Sequence, residues 1–318
     1  MLNLAVEKSL TRTLGIGACF TSIFILWGTV TDPVNATKHF VLGTVAIGAI
    51  FLTLISRAQI LWVHSKTLVV VAVIFLGFGL SAAFNSDSPL VQNMYGSFGR
   101  NTGFMAYLFL TLIFVSALTL RLRKSFEFLI KALLIAGLVN VAYCFWAWQV
   151  GDFVGWSNPY NTILGTFGNP NFIGAFLGIF VSVLLAYLFS ERKNLKILIP
   201  GVFMLLIALL EIEHSNAIQG IVVAAGGIAL VFFFQIRSKF NSVIPLIGYV
   251  VFVVIAGTYA VLGALQKGPL TDLFIKLQYH CVENIGTREL LWDESFHGRA
   301  LAWIVMVIGT GRCDEIQL

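Results

Sequence analysis

The sequence predicts an all-α fold: a polytopic transmembrane helical bundle of about nine spans with a partial extracytoplasmic loop. Three observations predict it. Hydrophobic residues make up 58% of the 318-residue chain and charged residues 11%, too little charge to cover a soluble domain of this length. Mean hydropathy is +0.90, and runs long enough to cross a core of about 30 Å recur from end to end, which also excludes disorder. Lysine and arginine collect in alternate gaps between the runs, as they do where those gaps face the cytoplasm.

Taken in order, the spans fall at approximately 13–30, 39–56, 67–84, 102–120, 128–150, 171–190, 197–211, 217–235 and 243–265. Lys8 and Arg12 before the first run resemble a secretory signal, and Ile16-Gly17-Ala18-Cys19 loosely resembles a lipoprotein cleavage box. The run up to Cys19 is shorter than the 7–15 residues of a signal core, and it continues to Val30, so an uncleaved first span is expected. The seventh span is short and contains Pro200, which leaves its ends open.

With the N-terminus inside, Lys8, Arg12, Arg57, Lys66, Arg121, Arg123, Lys124, Arg192, Lys193, Lys196, Arg237 and Lys239 all fall on the cytoplasmic side. The opposite gaps, 31–38, 85–101, 151–170 and 212–216, are nearly free of Lys and Arg except Lys38 and Arg100. The net charge of +5 is thus a topology signal, and nucleic acid is not an expected partner. Trp27, Trp146, Trp148 and Trp156 sit at the outer ends of spans, as interfacial anchors do. Residues 1–265 form the expected bundle and 266–318 the outer loop, in which Leu301 to Ile308 is too short to cross and reads as a surface helix. Cys19 and Cys144 lie in apolar spans and Cys281 and Cys313 are isolated in the loop; a loop disulfide stays open and no metal pattern is formed.

Candidate chemistry lies at the outer gaps. Spans four, six and eight each begin there, and a helix start offers unpaired N–H groups and a positive dipole end suited to phosphate. Asn169 is placed to cap span six with Pro170 at its first position. Span four follows Gly99-Arg100-Asn101-Thr102-Gly103, and span eight follows His214-Ser215-Asn216. Three such starts, with Arg100 beside one, suit a diphosphate headgroup; plain helix capping and a headgroup-facing anchor are the alternatives. Glu211, Glu213 and His214 border the outer end of span seven, where they read either as proton or ion carriers or as a solvated loop. Asn140 in span five is expected to hydrogen-bond a neighbouring helix. In the loop, His297 and Arg299 follow Asp293 and Glu294, a base and a phosphate clamp or a solvated turn. No nucleotide loop, metal signature or nucleophile elbow is found.

Three of these stretches resemble the O-antigen ligase family of bacterial membrane glycan transferases and polymerases. Gly99-Arg100-Asn101-Thr102-Gly103 looks like its outer Gly-Arg-x-x-Gly turn, and Gly165-Thr166-Phe167-Gly168-Asn169-Pro170-Asn171-Phe172 is similar to its most recognisable segment. Gly298-Arg299 with Trp303 resembles a Gly-Arg-x-x-x-Trp element of its large periplasmic loop, and Ser215 to Gly220, ending Gln219-Gly220, resembles more weakly the start of another span. The resemblance covers the chain from about residue 70 onward.

It implies transfer of a glycan from a polyprenyl-diphosphate donor to a glycan or lipid acceptor at the outer face of the cytoplasmic membrane, in cell-surface polysaccharide biosynthesis. No cofactor or metal is implied, since the donor linkage is already activated. Arg100, Arg299, Asn169 and Asn171 would bind the donor diphosphate, with Asn101, Ser215 and Gln219 in support and His297 as the candidate catalytic base. Joining of repeats by a polymerase is the alternative within this chemistry, and a small-anion transporter the alternative outside it. Family members usually continue through a loop carrying a further His and then more spans, so the chain is expected to be C-terminally truncated, which leaves an inactive fragment open.

Overall fold

The computed structural model describes residues 4–26, 34–55, 62–97, 101–152, 162–190, 194–240 and 242–264, with residues 32, 154, 155, 158 and 269. Its helices are α1 (Leu4–Ile23), α2 (Asn35–Ile55), α3 (Trp62–Asn85), α4 (Leu90–Tyr95), α5 (Phe104–Ala117), α6 (Arg123–Gln149), α7 (Pro170–Ser190), α8 (Leu195–His214), α9 (Ile218–Lys239) and α10 (Ile244–Ala264), with a 3-10 turn at Gly165–Phe167 before α7. No strand occurs among the described residues. Each apolar run read from the sequence contains a helix among the described residues. Among the described residues, six helices are long and apolar enough to cross a membrane: α2, α3 (from Thr67), α6, α7, α8 and α9. Large apolar side chains such as Phe78 and Phe84 on α3 and Phe203 on α8 stand more than half exposed, which suits lipid and not water. The chain is a multi-pass membrane protein.

The described residues fall into two compact units. Unit 1 comprises Met1–Tyr143 and Thr166–Gly168. Glycines let its helices approach: Gly17 meets Val45 across α1 and α2, and a Cβ on Gly43 would lie 2.9 Å from the Phe109 ring of α5. Glu7, 4% exposed, reaches from α1 to the start of α6. One of its oxygens accepts the N–H groups of Arg121 (2.8 Å) and Leu122 (2.7 Å) and the Ser125 hydroxyl (3.0 Å). A carboxylate from another helix thus satisfies the free N–H groups at a helix start, where the dipole also favours it.

The opposite end of α1 is also held from outside. Lys38 donates from Nζ to the carbonyls of Thr21 (2.8 Å) and Ser22 (2.9 Å) and lies over the Phe167 ring. Thr166 Oγ1 lies 2.6 Å from both the Ser22 carbonyl and Asn140 Oδ1. Asn140 therefore does bond another segment, and its amide donates to Ala136 on its own helix. These side chains meet carbonyls that a continuing helix would have used, so α1 ends at Ile23 and not at residue 30. The short α4 is absent from the sequence reading; Asn93 pins it by donating to the carbonyls of Ala83 (2.9 Å) and Ser88 (3.0 Å).

Unit 2 comprises Cys144–Gly165 and Asn169–Leu318. Helices α7 and α9 run parallel along a seam of small residues. Gly174 faces Gly220, Gly178 faces Gly220 and Ala224, and Ser182 faces Gly227. Such a stripe lets backbones touch where lipid supplies no hydrophobic drive for association. Helix α8 packs Gly201 on Leu188 of α7 and runs through Pro200 without a break. Pro200 lies close to the helix start, so only one backbone bond near that end is lost. Tyr249 ties α10 to α9 through a bond to the Ala229 carbonyl (2.7 Å).

Candidate functional site

The start of α7 is built as its sequence suggests. Gly165 (φ +56°) and Gly168 (φ +62°) take left-handed conformations that side chains resist, and they bend the chain into the helix. A Cβ on Gly165 would also lie 2.5 Å from Ile173. Asn169 Oδ1 then accepts the Asn171 N–H (2.9 Å), and the Asn169 carbonyl accepts the Ile173 N–H (3.1 Å). Asn169 is the cap and Pro170 the first helical residue.

The turn from α8 to α9 differs from its reading. Ser215 closes α8: its hydroxyl donates to the Ile212 carbonyl (2.7 Å) and accepts the Ala217 N–H (3.3 Å). Asn216 (φ +53°) reverses the chain and Ala217 begins α9 without a side-chain cap. Ser215 is buried because its hydroxyl fills the space left by Gly174: a Cβ there would sit 3.0 Å from Ser215 Oγ and 3.1 Å from Ala217 Cβ. Gln219 lies half-buried in the first turn of α9.

Two of the three anticipated helix starts are therefore neighbours. Because α7 and α9 are parallel and register at Gly174 and Gly220, their first turns present N–H groups and positive dipole ends side by side. Asn169, Asn171, Ser215 and Gln219 belong to this one end of unit 2. The third start stands in unit 1. There Gly103, and neither Asn101 nor Thr102, begins α5, and Asn101 (φ +48°) shapes the preceding turn. Gly103 is needed because the backbone of Met94 and Gly96 passes directly against it. Arg100, His297 and Arg299 lie outside the described residues, as do the 266–318 loop apart from Pro269, its 301–308 segment, Cys281 and Cys313.

One residue of this end carries more than the sequence revealed. Glu211 is fully buried, and neither carboxylate oxygen has a hydrogen-bond partner among the described residues. It shares the packed face of α8 with Ala208, Ile212 and Ser215. One turn on, the His214 ring packs tilted against Trp148 at the end of α6 (ring centroids 4.1 Å), while Glu213 is exposed. Cys144 is buried on α6. Among the described residues no group of His, Cys, Asp and Glu is arranged to hold a metal. Comparison with family models, with characterised proteins and with solved structures returns no match.

Proposed function

We propose that the chain transfers a glycan from a polyprenyl-diphosphate donor to a glycan or lipid acceptor at the outer face of a bacterial cytoplasmic membrane. In this reading α1, α2, α3 and α5 to α10 each cross the bilayer, the N-terminus is cytoplasmic and the α7 and α9 starts face outward. The observation that carries the proposal is the pairing of those starts. Two helix N-termini, with Asn169 at one and Gln219 at the other, form an anion-accepting end in the very segments that resemble the glycan transferases. An acceptor hydroxyl attacks the anomeric carbon, the bond from that carbon to the diphosphate oxygen breaks, and the diphosphate leaves with the electron pair. The hydroxyl proton passes to a base, for which His297 is the candidate in this chain. The α7 and α9 starts stabilise charge on the leaving group, the role the resemblance also assigns to Arg100 and Arg299.

Replacement of Arg100 or Arg299 by alanine should abolish transfer while membrane insertion and expression stay unchanged. Full transfer in both variants removes the mechanism. A second reading, transport of a small anion, is favoured by Glu211, since an unpaired acid inside a membrane helix is a recurrent feature of ion-coupled carriers. Substrate flux into vesicles without glycan transfer would select it.

A further inference from the structure

We propose that Glu211 is a proton-binding site and that His214 passes the proton between it and the solvent at the end of α8. Ionisable side chains are kept inside membrane helices for a polar partner or for a proton, and both Glu211 oxygens are shut from solvent and without a hydrogen-bond partner among the described residues. An ionised carboxylate so placed would forfeit its hydration with nothing in return, whereas the neutral acid avoids that cost. No described cation of the unit is within reach. Lys196 stands at the far end of α8, roughly 22 Å away at 1.5 Å per residue. Arg237 and Lys239 stand at the far end of α9, whose near end is level with Glu211 through the contact of Gly220 with Ile212.

The other ionisable groups around this end are Cys144 on α6, Asp152 just after it, and Glu213 and His214 on α8 itself. The packed residues of α7 (Ile173, Gly174, Leu177, Gly178) and α9 (Gly220, Ala224) bring none. His214 is placed for the relay. It is three residues from Glu211, hence on a neighbouring face one turn further out. Its side chain is 38% exposed. Nδ1 lies 3.0 Å from the Leu210 carbonyl, which can only accept, so Nδ1 carries the hydrogen and Nε2 is the free basic nitrogen. The step is proton exchange alone: Nε2 takes a proton from water and, when the end of α8 opens locally and brings the carboxyl to it, yields that proton to Glu211; the reverse empties the site. It serves glycan transfer and anion transport equally and so does not rest on either.

The test is an infrared difference spectrum of the full chain, wild type minus Glu211→Gln, in proteoliposomes at neutral pH, followed through transfer into D2O. The carbonyl band of a neutral carboxylic acid should be present in the wild type and lost in E211Q. Its hydrogen–deuterium shift should slow at least tenfold in His214→Ala. A hydrophobic carbodiimide should modify Glu211, located by peptide mass, while a water-soluble one should not. Loss of a carboxylate band pair in place of the acid band, an unchanged exchange rate in H214A, or equal modification by both reagents each overturns the proposal. Glutamine matches the shape of the acid, and the carbodiimide experiment needs no variant, so a folding defect cannot imitate success.

Discussion

Replacing Gly178 by alanine adds a single methyl group, and the α7–α9 seam sets the consequence. The new Cβ would lie 2.9 Å from the Ala224 amide nitrogen and 2.9 Å from the Gly220 carbonyl oxygen. Favourable contacts of such atoms begin near 3.5 Å, so the two backbones must separate by roughly half an ångström or more. Backbone cannot turn aside as a side chain does, and overpacking of this kind costs about 1–3 kcal/mol. Alanine returns about 0.5–1 kcal/mol through its helix propensity, so the net expectation is a loss of about 0–2.5 kcal/mol, centred slightly above 1. Gly226 on α9 supplies the control, because a Cβ there meets nothing within 4 Å. Gly226→Ala should be neutral or stabilising by about 0.5–1 kcal/mol. The assay is reversible unfolding of the full chain in mixed micelles, and the difference between the variants should approach about 2 kcal/mol. Gly220→Ala presses on the same seam, 2.9 Å from the Gly174 carbonyl, so its cost should fall short of additivity with G178A. If G178A and G226A unfold alike, the close registration of α7 on α9 is wrong and the paired helix starts lose their basis.

Two further outcomes concern unit 1. Lys38→Met removes both bonds to the α1 carbonyls and the contact with Phe167, and should lower stability by about 2–4 kcal/mol in the same unfolding assay; Lys38→Arg should recover part of it. Glu7 lies ahead of the first apolar run. Burial pushes its carboxyl up, but the bonds from Leu122, Arg121 and Ser125 outweigh that and hold it below the usual carboxylate range. A depressed folded value means that its stabilisation is complete above the ordinary value near 4.3 and is lost as pH falls through the folded value. The wild type should therefore lose stability as pH falls below about 5 toward the depressed folded value, and Glu7→Gln should start lower and show less of that decline, as followed by thermal melts across the acid range.

The helices were legible because hydrophobicity alone marks them; α2, α7 and α10 begin and end within a few residues of their apolar runs. The Asn169 cap was legible as well, since capping is local chemistry written in adjacent residues. What escaped depends on partners distant in sequence. Lys38 looked like an exception to the charge pattern until the Thr21 and Ser22 carbonyls were seen to receive it. Glu7 gave no sign of serving a helix more than a hundred residues away. Ser215 has the composition of a helix start, but its hydroxyl is claimed by Ile212, which leaves α9 to begin at Ala217. Glu211, Glu213 and His214 read either as proton or ion carriers or as a solvated loop; only the packing of α8 shows that Glu211 faces inward. The spacing of Gly174 with Gly178 and of Gly220 with Ala224, small residues four apart, is the local sign of the seam in the sequence.

The measurement closest to the functional claim is transfer by the purified full chain in proteoliposomes. The only additions are a labelled polyprenyl-diphosphate-linked glycan and an acceptor, without nucleotide or metal. The account predicts label on the acceptor with the wild type and none with Arg100→Ala or Arg299→Ala. Label that stays on the donor with the wild type, or that moves equally well in all three, contradicts it.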